Sequence, residues 1–105
     1  MKRTAIRIAA ALALGAFAAS ATAAGDAAAG KAKIGTCMAC HGNNGKGLTP
    51  EYPNLCGQNE KYLVSALKAY KDGSRNNPIM KPMAAMPADA DVENVAAYYA
   101  AQKCN

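Results

Sequence analysis

The chain has 105 residues, with 12 Lys plus Arg, seven Asp plus Glu, one His, four Cys and no Trp. That length excludes a second core, and with Ala-rich apolar content and only six aromatic residues the chain needs a staple: a disulfide, a metal or a cofactor. The net charge of +5 points to nucleic acid only until its distribution is read, because three of the cations lie within the first seven residues.

Those first residues read as a secretory signal peptide. Met1-Lys2-Arg3 is a charged start, Ile8 to Ala19 is apolar, and Ala21-Thr22-Ala23 is an A-x-A cleavage site. Cleavage after Ala23 leaves residues 24–105 as one domain, with nine cations against seven anions, and the nucleic-acid reading loses its support. The competing reading is an uncleaved anchor, but the run from Ile8 to Ala24 is Ala-rich and shorter than the ~20 residues a span needs.

In the remaining chain, Asp26 caps a helix expected to run from Ala27 to about Cys40. Gly42 to Gly47 is a loop by composition, and Pro53 biases Tyr52 away from helix. Asn59 caps a second helix, whose Leu63, Ala66, Leu67 and Tyr70 share one face and which Gly73 stops. Pro78, Pro82 and Pro87 are interleaved with Met80, Met83 and Met86, and three prolines in ten residues argue against a regular helix there. A last helix opens at Ala88 or Asp89, with Val92, Val95, Ala96 and Tyr99 on its stripe, and ends near Gln102. No strand and no internal repeat is visible. The expected fold is all-α: three main helices and one long Met/Pro loop.

The chemistry lies in Cys37-Met38-Ala39-Cys40-His41, a C-x-x-C-H motif that marks covalent c-type haem attachment. Two thiols three residues apart can add to the two vinyl groups of one porphyrin, and the adjacent His41 can then ligate iron from beneath the ring. Three other readings compete. A thioredoxin-like site needs a strand before the motif. A zinc site would use Cys37, Cys40, His41 and Cys56, whose spacing fits no common module. A plain Cys37–Cys40 disulfide would leave His41 a bystander. Export favours haem, since such attachment occurs outside the bacterial cytoplasm.

A sixth iron ligand cannot be a second His, because the chain has one. Met is the next choice, and three Met residues share the Pro-held loop. Pro78 and Pro82 bracket Met80 and are expected to hold its neighbours extended, free to cross the haem face. Met83 and Met86, three apart, suit a short inward-packing turn.

Three stretches, AGDAAAGKAKIGTCMACHG, YPNLCGQNEKYLVSALKAYKDGSRNN and IMKPMAAMPADADVENVAAYYAAQ, resemble in this order the class I monohaem cytochromes c, and most nearly a single domain of the cytochrome c4 and bacterial c-553/c-554 group. The resemblance covers nearly all of residues 24–105. It implies a class I cytochrome c fold around one haem c, with Cys37 and Cys40 as thioether cysteines and His41 as proximal ligand. It implies that Pro53, twelve residues after His41, offers its carbonyl to the other ring nitrogen, and that Gly30 and Tyr98 or Tyr99 belong to the crossing of the terminal helices, where a small residue lets them approach. It also implies Met80 as distal ligand, nine residues before Asp89, with Met83 the alternative.

Cys56 and Cys104 depart from the family pattern, as does Ala88 where a Ser cap is frequent, so that Asp89 is expected to take over the capping. In an exported chain the two cysteines are expected to form a disulfide, closing 48 positions and contributing up to about 4 kcal/mol on the chain-entropy argument. Two free thiols or a cross-link between molecules are the other outcomes, and a redox-sensing or assembly role would run through the same pair.

The function implied is that of a soluble periplasmic electron carrier rather than an enzyme. It would be a monomer without membrane anchor or nucleic-acid partner, exchanging electrons with a membrane cytochrome complex or a terminal oxidase or reductase. Leu55, Leu67, Tyr70, Ile79 and Val95 are the expected pocket walls, and Lys46 and Lys81 could guide partners. The alternative is a small haem peroxidase or ligand-binding haem protein with a labile sixth site, for which no distal His or Arg pair is apparent.

Overall fold

The computed structural model describes residues 25–105, so the expected signal peptide lies outside the described residues. Five helices follow one another: α1 (Ala27–Lys31), α2 (Gly35–His41), α3 (Glu60–Asp72), α4 (Met80–Ala85) and α5 (Asp89–Ala101), with no strand among the described residues. Packing joins α1 to α5, α5 to α3, and α3 to α4. No described helix is long and apolar enough to cross a membrane.

Local chemistry sets most of the boundaries. The Asp26 carboxylate accepts from the Ala28 and Ala29 N–H groups, and the Asn59 amide oxygen from Tyr62 N–H, satisfying donors that a helix start leaves free. Gly73 ends α3 in the left-handed conformation, at φ 86°.

Three expectations need correction. The first helix is two, because Lys33 N–H turns back to Gly30 O at 2.8 Å and Ile34 leaves the helical conformation at ψ 5°. The break lets Ile34 enter the core, where it is 2% exposed. The Met/Pro stretch holds a real helix, α4. The Asn77 side chain accepts from Ile79 and Met80 N–H, at 2.9 Å each, and Lys81 N–H reaches Asn77 O. Pro78 precedes the helix and Pro82 falls in its first turn, places where a missing N–H costs little. Met80 and its neighbour Lys81 are therefore helical, not extended. Lastly, Ala88 starts α5 without a side-chain cap, and Asp89 does not replace it: its carboxylate accepts from Lys71 at 2.7 Å.

The core consists of Ile34, Leu63, Val95, Ala96, Tyr98 and Tyr99, flanked by half-buried Cys37, Leu55, Val64 and Ala100. The stripe read along α5 is buried throughout. It meets α1 at very short range. A Cβ on Gly30 would lie 1.9 Å from the backbone oxygen of Asn94, so only glycine permits the crossing. The terminal helices thus cross at Gly30, with the Asn94 backbone nearest to it.

Candidate haem site

Helix α2 carries Cys37 and Cys40 one turn apart, and both thiols are unpaired. Burial beside Ile34 and the core pushes the Cys37 thiol above the ordinary thiol range, which keeps it neutral. Cys40 lies beside Tyr52. Its charge and a hydrogen bond to it are the main causes that raise the phenol.

His41 closes the helix and is buried, at 7% exposure. Its Nδ1 lies 2.8 Å from the Pro53 carbonyl, an acceptor that can take only a proton. That contact assigns Nδ1 as the N–H and leaves Nε2 as a free lone pair. The ring is thereby oriented and its ligating nitrogen made more basic.

The backbone around His41 is equally constrained. Gly42 follows at φ 80°, and a Cβ there would lie 2.3 Å from Lys46 O. Tyr99 donates its hydroxyl to Gly42 O at 3.1 Å, and Tyr98 donates to Asn43 O. The two rings meet edge to face, 5.3 Å between centroids. Burial raises the Tyr99 phenol far above its ordinary range, so it stays a donor. Neither tyrosine bond follows from sequence spacing, since each joins residues more than fifty positions apart.

The expected walls fall into two groups. Val95 is buried, while Leu55, Leu67 and Tyr70 are half-buried. Ile79 is 60% exposed, Met83 40% and Met86 61%, so the last two do not pack inward as expected. Met80 is less exposed than either, at an intermediate level. The donor set fits a covalent haem: two unpaired thiols one turn apart on α2, an imidazole with its outer nitrogen engaged, and a half-buried thioether at the start of α4. No other His is present, and no cluster of His, Cys, Asp and Glu among the described residues could hold a bare metal ion.

Cys56 and Cys104 lie outside this set. They are bonded to each other, with Cα atoms 5.4 Å apart, and join the segment before α3 to the segment after α5.

Comparisons with known proteins agree with this geometry. The family model described as cytochrome c matches residues 25–102. Cytochrome c-554(548) of Halomonas halodenitrificans is 57% identical over 74 residues, covering 68% of this chain and 89% of that protein. A cytochrome c4 of Pseudomonas aeruginosa is 43% identical over 73 residues, covering 70% of this chain but 36% of that protein. The crystal structure of reduced recombinant cytochrome c4 from Pseudomonas stutzeri superposes with a TM-score of 0.71 at 40% identity, over 76% of this chain and 47% of that one. The chain thus spans between a third and a half of the cytochromes c4 it matches. An all-helical chain with C-x-x-C-H at a helix end, matched along almost all its described length, belongs to the cytochrome c family and is an electron-transfer protein with covalently bound haem c.

Proposed function

We propose that this protein is a periplasmic single-electron carrier in which Cys37 and Cys40 hold the haem by thioether bonds, and His41 and Met80 are the axial iron ligands. The observation that carries this reading is the His41–Pro53 contact, immediately beside two unpaired thiols. A buried imidazole with one nitrogen occupied by a carbonyl is prepared to bind metal through the other.

Bound haem supplies a one-electron couple, and the protein's residues set its conditions. His41 donates Nε2, and the Pro53 carbonyl fixes the tautomer and ring plane, so little rearrangement accompanies a change in charge. Met80 is proposed from the other side because it is the least exposed Met of its segment, held by the Asn77 cap at the start of α4. A thioether ligand favours the reduced state and raises the potential. With His41 and Met80 both on the iron, no position would be left for a substrate, which supports a carrier over an enzyme. The export reading of residues 1–23 supports a periplasmic location. Near-balanced charge on residues 24–105 points to short-range docking with redox proteins, with little long-range steering.

The test is to replace each Met in turn. Met80→Ala is expected to abolish the Met–iron charge-transfer band of the ferric protein, lower the midpoint potential and open the iron to imidazole or cyanide. Met83→Ala and Met86→Ala are expected to leave all three unchanged. If Met83→Ala produces these effects and Met80→Ala does not, the distal assignment moves to Met83.

A further inference from the structure

The Pro53 carbonyl must be held in place to hold His41, and Pro53 belongs to a segment without regular structure, between Thr49 and Asn59. Most of its support comes from another loop. Leu55 and Cys56 N–H both donate to Gly45 O, at 2.6 and 3.2 Å, and Gly47 N–H donates to the Asn54 side chain at 2.8 Å. Gly45 lies at φ 86°, and a Cβ there would come within 2.6 Å of Cys56 N. These bonds tie the segment to the loop after α2, which is itself held by Leu48 N–H on Cys40 O and by the Tyr98 and Tyr99 hydroxyls on Asn43 and Gly42.

Leu55 packs on the core and Asn59 caps α3, and the segment reaches α5 directly in two ways. Gly57 N–H donates to Tyr99 O near the end of α5, at 3.1 Å, and Cys56 is bonded to Cys104 just beyond that end. Cys56 is buried and three residues from Pro53, a reach of at most about 10 Å of chain. Cys104 is exposed.

We propose that the Cys56–Cys104 disulfide is a positioning element for the axial histidine, and that a small dithiol reductant attacking it loosens the Pro53 carbonyl from His41 Nδ1. The inference rests on the reading of His41 as iron ligand. The attack is directed at the exposed Cys104 sulfur. A reductant thiolate forms a mixed disulfide there and releases Cys56 as thiolate, which takes up a proton. The reductant's second thiol, as thiolate, then displaces Cys104. Two electrons pass from the dithiol, which becomes a cyclic disulfide, and both cysteines end as thiols. The freed segment keeps its bonds to Gly45 and Asn54 but is left with one direct tie to α5, the Gly57 bond, so openings that part Pro53 O from His41 become more frequent.

The experiment uses the ferrous holoprotein and dithiothreitol, with nuclear magnetic resonance following hydrogen exchange of the His41 ring N–H and of the α5 amides. After reduction and alkylation, the ring proton is expected to exchange about tenfold faster while the α5 amides keep their rates. The Cys56→Ser, Cys104→Ser double variant should behave alike, and reoxidation of an unalkylated sample should restore the slow rate. If the ring proton keeps its rate, or if it and the α5 amides accelerate together, the disulfide is a general staple and the proposal is overturned. A variant that fails to load haem does not block the test, since chemical reduction of the intact protein gives the same measurement. The low-spin ferrous spectrum of the untreated protein checks ligation separately.

Discussion

The crossing of α1 with α5 and the methionine-bearing stretch around α4 are both helical, yet they are stabilised by different means. At the crossing, protein packs against protein. Gly30 brings α1 onto the backbone of Asn94, and Val92 and Tyr99 are buried almost completely. Around α4 only Ala84 is buried, and Ile79, Met83 and Met86 keep 40% or more of their surface. What fixes α4 is local hydrogen bonding, with Asn77 as cap and Pro78 behind it. The first region is specified by side-chain volume. The second is specified by backbone chemistry and has apolar side chains to offer a cofactor. On the proposed reading a carrier benefits from this division, since the crossing fixes the polypeptide while the α4 region would offer its apolar side chains to the haem.

The comparison breaks most severely if the haem is prevented from attaching. Among the described residues ten apolar side chains are buried, and three of them are Ala, which makes a small core. Replacing Cys37 and Cys40 together by Ala is therefore expected to leave a largely unstructured chain, with most helical signal lost in far-ultraviolet circular dichroism. Native helix content without haem would mean that the crossing is self-sufficient after all.

A smaller effect tests the crossing alone. Gly30→Ala puts a methyl group where the backbone oxygen of Asn94 now lies, and backbone cannot move aside as a side chain can. The expected loss is about 1–3 kcal/mol or more, read by denaturant unfolding of the holoprotein. Met86→Ala, at an exposed position of the other region, is expected to stay within about 0.5 kcal/mol. Equal losses at the two positions would remove the distinction between the regions.

The two regions also differ in how far they were legible in the sequence. Asp26, Asn59, Gly73 and the α5 stripe could be read because capping and helical periodicity act within a few residues. The C-x-x-C-H motif could be read because its chemistry is contiguous. The break after α1 was missed because it serves Ile34's burial against α5, a contact no local pattern encodes. Helix α4 was missed because its prolines were counted rather than placed. Asn77-Pro78, an amide acceptor followed by proline, is a helix-start signal that the sequence carries. The tyrosine hydroxyls on Gly42 and Asn43 had no available signal, since each joins elements far apart in the chain. Asp89 was misassigned for a related reason: the partner that claims its carboxylate is on α3.

That partner provides the smallest effect and a pH signature. The Lys71 ammonium, by hydrogen bond and then by charge, holds the Asp89 carboxyl below the usual carboxylate range. A group whose pKa is lower folded than unfolded adds stability above its unfolded value, about 3.9 for Asp, and loses it as pH falls through the folded value. Both side chains are solvated, Asp89 at 90% side-chain exposure, so the contribution is small and salt-sensitive. Asp72 is also held low, by hydrogen bonds from Ser74, so acid destabilisation alone does not single out Asp89. The difference between the parent protein and Lys71→Ala does. The melting temperature of Lys71→Ala is expected to fall slightly below the parent's above about pH 4 and to converge with it in more acid solution. Asp89→Asn should lose more than Lys71→Ala above that pH, because Asp89 also opens α5, where a negative charge faces the positive end of the helix dipole. A gap between parent and Lys71→Ala that persists unchanged through the acid range would show that Lys71 stabilises α3 by packing, and that the ion pair joining α3 to α5 contributes nothing.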